Sequence, residues 1–184
     1  MNGLVLDASA ALKLLRDEPG RDEVLEHLRA AVLAGQPILV PALFWLEIVN
    51  VLAFRYRYPP EAIVEAIYEL EQVGVTTADV GRPGVLAVVD AIGRTGLTAY
   101  DAAYLVLAES SGARLLTADV RLATAAADRA ILVRPPGRIG EGRATYAPGG
   151  SSWVAWRGAL AYLGELRVAL TDTPRSTPET SGRS

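Results

Sequence analysis

The sequence predicts an α/β fold, a three-layer α/β/α sandwich with a mainly parallel central sheet, followed by a C-terminal helical extension. Two observations predict it. Short apolar runs, typical of buried strands, alternate with longer segments whose apolar side chains recur every three or four residues, as in helices. Such alternation is typical of parallel strands joined by helical crossovers. The chain has 184 residues, of which 51% are hydrophobic, so it can bury a sizeable core.

The predicted elements follow one another along residues 1–134. Strands are predicted at residues 3–6, 37–41, 75–77, 113–117 and 130–133. Helices are predicted at residues 9–15, 21–33, 42–58, 61–73, 83–94, 99–110 and 120–127. The clearest helix is 21–33, in which Val24, Leu28 and Val32 share one face and charged residues occupy the other. Pro59 and Pro60 end the long apolar helix that precedes them.

The strand–helix pattern is complete near residue 134, and the rest of the chain has a different character. Residues 135–152 carry turn signals rich in Gly and Pro, which predict a linker. Residues 153–170 predict an amphipathic helix, because Trp153, Trp156, Leu160 and later leucines lie three or four residues apart. Residues 171–184 are rich in Ser, Thr and Pro and are predicted to be disordered.

Composition excludes several classes of function. The absence of Cys excludes disulfide frameworks, thiolate metal sites and cysteine nucleophiles, and the single His27 excludes His-rich zinc sites. A net charge of −3 argues against a strongly basic nucleic-acid binder. The N-terminus lacks the basic start of a signal peptide, and charges interrupt every apolar stretch before the ~20 residues of a membrane span. We therefore expect a cytoplasmic protein with no membrane segment.

Four acidic residues stand out by their sequence context. Asp7 closes the first predicted strand, and Asp119 follows the fourth. Asp101 lies in the first turn of the helix after Thr98, and Glu47 interrupts an otherwise apolar helix. Because ligand sites of open parallel sheets form beyond the carboxyl ends of the strands, these acids are candidates for one shared cleft.

Clustered carboxylates need a compensating cation. In a partly buried cleft they repel one another and take up protons unless a cation is bound. Oxygen ligands without Cys or His favour Mg²⁺ or Mn²⁺. Such a metal lowers the pKa of a bound water and stabilises charge on a phosphoryl oxygen, so the acids point to metal-assisted hydrolysis of a phosphodiester.

Each acid also has a purely structural explanation. The segment from Thr98 to Asp101 fits a capping box, in which Asp101 serves the free N–H groups of a helix start. Asp7 and Asp119 are suited to cap the helices that follow their strands, and Glu47 can face solvent. It is the combination of the four that favours a functional site.

Four segments of the chain resemble the motifs of a PIN domain, and within that superfamily those of a VapC-type toxin ribonuclease of a type II toxin–antitoxin system. They are Leu4-Val-Leu-Asp-Ala-Ser-Ala-Ala-Leu-Lys13, Trp45-Leu-Glu-Ile-Val-Asn-Val-Leu52, Leu97-Thr-Ala-Tyr-Asp-Ala-Ala-Tyr-Leu-Val-Leu-Ala-Glu109 and Leu115-Leu-Thr-Ala-Asp-Val-Arg-Leu122. Any one of them is weak, but the four in order cover residues 1–134. The extension after residue 134 is not part of the pattern.

The resemblance implies an Mg²⁺- or Mn²⁺-dependent cleft that cuts RNA with a metal-activated water. It assigns the catalytic and metal-binding roles to Asp7, Glu47, Asp101 and Asp119. Accessory hydroxyl positions match Ser9 and Thr117, for which bonds to neighbouring backbone are an equally good explanation. The resemblance also implies a cognate antitoxin protein that represses the toxin, and a homodimer.

Other interpretations stay open. Arg55 and Arg57 alternate with aromatic residues and are weak candidates for RNA binding, although arginines at a helix C-terminus also complement its dipole. A phosphatase of the haloacid dehalogenase type needs a second Asp two residues after the first and a downstream Lys, and the only Lys is Lys13. The alternative function is a catalytically silent PIN-like interaction module that is open to inhibition by its C-terminal helix. The extension either packs on its own domain or a dimer interface, or occupies the groove of an antitoxin helix and places Arg157 or Arg143 in the acidic cleft.

Overall fold

The computed structural model describes residues 3–16, 18–134, 164–165 and 167–168 of the chain. Within them, five strands form one sheet: β1 (Leu4–Leu6), β2 (Ile38–Pro41), β3 (Val75–Ala78), β4 (Arg114–Thr117) and β5 (Ala130–Leu132). The α-helices of the same residues are α1 (Ala8–Arg16), α2 (Arg21–Leu33), α3 (Leu43–Asn50), α4 (Pro60–Gln72), α5 (Gly81–Thr95), α6 (Ala99–Ser111) and α7 (Val120–Ala126). The predicted linker and disordered tail lie outside the described residues, as does most of the predicted helix 153–170.

The sheet has the order β3-β2-β1-β4-β5, and every pair of neighbouring strands is parallel. Strand β1 lies in the middle, where Val5 pairs with Leu39 on one side and with Leu115 on the other. All three residues of β1 are buried, as expected for a strand covered on both faces. The predicted α/β class with a parallel sheet is confirmed.

Strand order explains how the helices are divided between the two faces. The connections from β1 to β2 and from β2 to β3 move across the sheet in one direction, and those from β3 to β4 and from β4 to β5 move in the other. Right-handed crossovers therefore place α1 to α4 on one face and α5 to α7 on the opposite face. In agreement, α1 packs against α2 and α3, and α6 packs against α5 and α7.

One helix differs from its prediction. The sequence predicts a single helix over residues 42–58, but α3 ends at Asn50 and continues as a π-helical turn, Val51–Arg55. This turn keeps Leu52 fully buried before the chain reaches the two prolines. Such turns insert one extra residue into a helix and shift its face, which periodicity alone does not reveal.

Among the described residues, no helix combines the length and apolar character that a membrane span requires.

Candidate active site

The topology creates a crevice at the carboxyl edge of the sheet, between β1 and β4. These two strands are neighbours, and the chain leaves them in opposite directions across the sheet. Ligands of open α/β sheets bind at such a switch point. Asp7 follows β1 directly, and its backbone N–H still donates to the Leu116 carbonyl of β4 at 3.0 Å. Thr117 ends β4, so both strands deliver polar side chains into the crevice.

Two hydroxyl groups hold the Asp7 carboxylate. Asp7 is only 6% exposed, and its Oδ2 accepts a hydrogen bond from the Thr117 hydroxyl at 2.6 Å and another from the Ser9 hydroxyl. The same hydroxyls accept from the backbone, Ser9 from the Ala118 N–H at 2.9 Å and Thr117 from the Asp119 N–H at 3.0 Å. Ser9 and Thr117 thus orient Asp7 and also make the local backbone bonds expected of such hydroxyls.

Burial makes the charge on Asp7 unfavourable. Desolvation raises the pKa of this carboxyl above its ordinary value, although the hydrogen bonds from Ser9 and Thr117 oppose the rise. The nearby Asp101 raises the pKa further. The charged form of Asp7 is therefore only partly compensated, and a bound cation would supply the rest.

Glu47 projects from α3 toward the same crevice and meets Tyr104 of α6. The Tyr104 hydroxyl donates a hydrogen bond to Glu47 Oε2. Desolvation raises the pKa of Glu47, the bond from Tyr104 lowers it, and the charges of Asp7 and Asp101 raise it. Glu47 thus lies within electrostatic reach of both aspartates, as the sequence predicts.

Asp101 occupies the first turn of α6, whose N-terminus lies at the carboxyl edge because the helix leads back to the start of β4. The Thr98 hydroxyl caps the helix, accepting from the Asp101 N–H at 3.2 Å and donating to Asp101 Oδ2 at 2.8 Å. The Thr98 half of the predicted capping box is therefore present, while the Asp101 carboxylate is bonded to the Thr98 hydroxyl and not to a backbone N–H in the described contacts. This cap does not exclude a role in the site, because Asp101 also acts electrostatically on Asp7 and Glu47.

Asp119 is placed differently from the other three acids. Its backbone N–H contacts Thr117, but its Oδ1 accepts from the backbone N–H groups of Arg121 at 2.7 Å and Leu122 at 2.9 Å, as the N-cap of α7. One oxygen of the Asp119 carboxylate thus caps the helix, as the purely structural explanation of this residue predicts.

The donor set fits a hard divalent cation by its chemistry. Asp7, Glu47 and Asp101 offer only oxygen atoms, and Asp7 and Asp101 disfavour each other's neighbouring negative charge. Over the described ranges, no three Asp, Glu or His side chains lie close enough to hold one ion as they stand. The positive charge of a bound cation would offset the repulsion between these carboxylates.

The two candidate arginines lie away from this cluster. Arg55 ends the π-helical turn, eight residues after Glu47 and so about 12 Å farther along the helix axis. The Arg55 guanidinium carbon lies 5.4 Å from the centre of the Tyr56 ring. The backbone of Arg57 adopts the left-handed conformation, with φ 58°. Because α3 starts at the carboxyl edge and runs back, both arginines lie toward the opposite edge, and their contact with RNA stays a prediction.

Tyr104 is a site residue that the sequence analysis missed. Its side chain is only 1% exposed, and an apolar helix segment around it makes it look like an ordinary core residue. One signal was present: Tyr104 follows Asp101 by three residues, so the two share a face of α6. What the sequence did not reveal is that this face meets Glu47.

Comparison with known proteins identifies the family. Residues 4–128 match the PIN domain family, which is in general a nuclease fold. The crystal structure of PAE2754 from Pyrobaculum aerophilum is similar, with a TM-score of 0.52 and 26% identity over 72% of this chain and 90% of that one. No curated protein matches the chain. The match spans β1 to α7 and includes all the acids described above, and the chain therefore belongs to the PIN domain family.

Proposed function

We propose that this protein is a metal-dependent endoribonuclease and the toxin of a toxin–antitoxin pair. The observation that carries the proposal is the electrostatic coupling of Asp7, Glu47 and Asp101 at the switch point of a PIN-domain sheet. Carboxylates from three separate elements converge there although their charges oppose one another. A site of this kind is costly for stability and is typical of functional positions.

The residues suit the hydrolysis of a phosphodiester. Asp7, Glu47 and Asp101 would hold Mg²⁺ or Mn²⁺, with Ser9 and Thr117 fixing the orientation of Asp7. When bound, the cation would lower the pKa of coordinated water and stabilise negative charge on the phosphate.

A cleavage assay with matched acid variants tests the proposal. The full chain is incubated with single-stranded and structured RNA in Mg²⁺, in Mn²⁺ and in EDTA. We expect internal cleavage with either metal, none in EDTA, and a loss of at least a hundredfold for Asp7→Asn. Asp90→Asn is the control, because Asp90 is a 71% exposed carboxylate on α5 paired with Arg94. RNA that stays intact both in Mg²⁺ and in Mn²⁺ would refute the proposed nuclease activity.

The toxin role needs a cellular test. Induced expression should arrest growth and produce new RNA ends that are absent with Asp7→Asn. A cognate antitoxin should bind the protein and restore growth, and light scattering should show a homodimer. Exposed Val85, Leu86 and Val89, on one side of α5, support a surface for such partner chains.

The silent interaction module is the second candidate. It is favoured by the capping role of Asp119 and by the spacing of the carboxylates, which is too wide across the described residues for a ready-made ion site. Calorimetry with Mn²⁺, carried out beside the cleavage assay, separates the two functions. Tight Mn²⁺ binding without cleavage of any RNA would favour the module.

A further inference from the structure

The hydroxyl of Tyr104 links two of the elements that carry the coupled acids. It belongs to α6 and donates to Glu47 Oε2 on α3. The charge of Asp7 and the backbone N–H of Ala8, the first residue of α1, act on it electrostatically. Ala8 directly follows Asp7, and Tyr104 lies one turn after Asp101 on α6. All three elements that carry the coupled acids therefore act on one buried hydroxyl, and two of them are joined by its hydrogen bond.

We propose that Tyr104 is a positioning residue whose hydroxyl holds the Glu47 carboxylate in the orientation needed to bind a divalent cation together with Asp7 and Asp101. This inference rests on the proposed function, since it concerns the same site. A phenol has a single proton to donate, and here that proton is directed to Oε2. This bond limits the rotation of the carboxylate. The other Glu47 oxygen is then left available on the side of the aspartates.

The surroundings keep Tyr104 suited to this role. The side chain is 1% exposed, so packing fixes the position of its ring. A phenol keeps its proton at neutral pH, and the hydroxyl therefore stays a hydrogen-bond donor. Groups that orient metal ligands in this way typically change metal affinity by about 10- to 100-fold when they are removed.

Tyr104→Phe in the full chain tests the proposal, because it removes one oxygen and keeps the ring. Mn²⁺ binding is measured by calorimetry without RNA, and the melting temperature is measured in EDTA. We expect Mn²⁺ affinity to fall about tenfold or more, while the melting temperature falls by about 5 °C or less. Tyr56→Phe is the matched control, since the Tyr56 hydroxyl lies 3.4 Å from Glu18 Oε1 in a second Tyr–Glu pair outside the site.

A double-mutant cycle distinguishes positioning from general support of the fold. In a Glu47→Ala background the hydroxyl has no carboxylate to orient, so adding Tyr104→Phe should change Mn²⁺ affinity by less than about twofold. An equal loss in both backgrounds, or wild-type affinity in Tyr104→Phe, would overturn the proposal.

If the wild type cuts RNA but Tyr104→Phe binds Mn²⁺ normally, only this inference fails. If the wild type binds Mn²⁺ without cutting RNA, the nuclease fails and the cycle still decides the role of Tyr104. A wild type that binds no Mn²⁺ overturns both.

Discussion

The individual acids show that the site is built against local stability. Asp7 is nearly buried, and its carboxylate faces Ser9 and Thr117, whose hydroxyls only partly compensate for the lost water. A protein selected only for stability would place an apolar residue or an amide there. The charged residue is therefore best explained by a ligand that the charge serves.

Asp7→Asn is expected to stabilise the protein in EDTA near pH 7 by about 1 kcal/mol. The pKa of Asp7 is raised in the folded state, so folding favours the protonated form. The wild type consequently loses stability as the pH rises from the ordinary carboxylate range, about 4, through the raised pKa. An amide does not titrate, and the variant should lose less stability over that interval. Thermal unfolding from pH 4 to 8 measures the difference.

The exposed Asp90 again serves as the control for this comparison. Asp90→Asn removes one negative charge that is largely in contact with water, so it should follow the wild-type dependence on pH. A metal-free Asp7→Asn protein that is less stable than the wild type at pH 7 would contradict the interpretation of Asp7 as an uncompensated charge.

At the scale of the elements, Asp119 is the cap of a helix and also one of the four acids for which the resemblance implies a catalytic role. Its Oδ1 caps α7, and its backbone N–H donates to Thr117. The cap and the negative charge of Asp119 respond differently to substitution, because Asn caps a helix about as well as Asp but carries no charge.

Asp119→Asn and Asp119→Ala therefore separate the cap from the charge. Asp119→Asn should change the free energy of unfolding by less than about 0.5 kcal/mol, whereas Asp119→Ala should lower it by about 1 kcal/mol. Both should cut RNA at least tenfold more slowly if the charge serves the site. Denaturant unfolding and initial cleavage rates measure the two effects. Full activity in Asp119→Asn would make Asp119 a structural residue only.

The elements were largely predictable because their signals are local. The strand preceding Asp7 and the capped start of α6 at Thr98 depend on short stretches of sequence, and the structure places both within a residue or two of the prediction. The π-helical turn at Val51–Arg55 was not predictable, since no single residue there demands it. The bond between Tyr104 and Glu47 joins residues 57 positions apart on helices from opposite faces of the sheet, and only the complete fold brings them together.

At the scale of the whole molecule, strand order decides where the acids meet. The alternation of strands and helices predicts a parallel sheet, but it does not fix which strands are neighbours. The adjacency of β1 and β4, which are separated in sequence by β2 and β3, brings Asp7 to Thr117. The resemblance to PIN domains implied a shared cleft for the acids, but neither it nor periodicity gave the strand order.

The position of the described tail residues bears on self-inhibition. Arg167 donates a hydrogen bond to the Gly74 carbonyl, and Gly164 packs against the Gln72 carbonyl. Gly74 precedes β3, so these contacts lie at the amino edge of the sheet, whereas the acids lie at the carboxyl edge. Arg143 and Arg157 lie outside the described residues, and their entry into the cleft is a hypothesis that a truncation can decide.

A chain ending at residue 134 should keep both its fold and its cleavage activity. It retains all five strands and the whole segment that matches the PIN domain family, residues 4–128, so the core and the acids remain together. Loss of the contacts at Gly74 and Gln72 should lower the melting temperature by a few degrees, about what a loss of 1 kcal/mol produces. Cleavage rates of the full and truncated chains on the same RNA, compared at equal Mn²⁺ saturation, measure the effect. A cleavage rate that rises several-fold on truncation would instead indicate inhibition by the extension. The full chain should then cut slowly, and the full chain with alanine at both Arg143 and Arg157 should cut as fast as the truncated one.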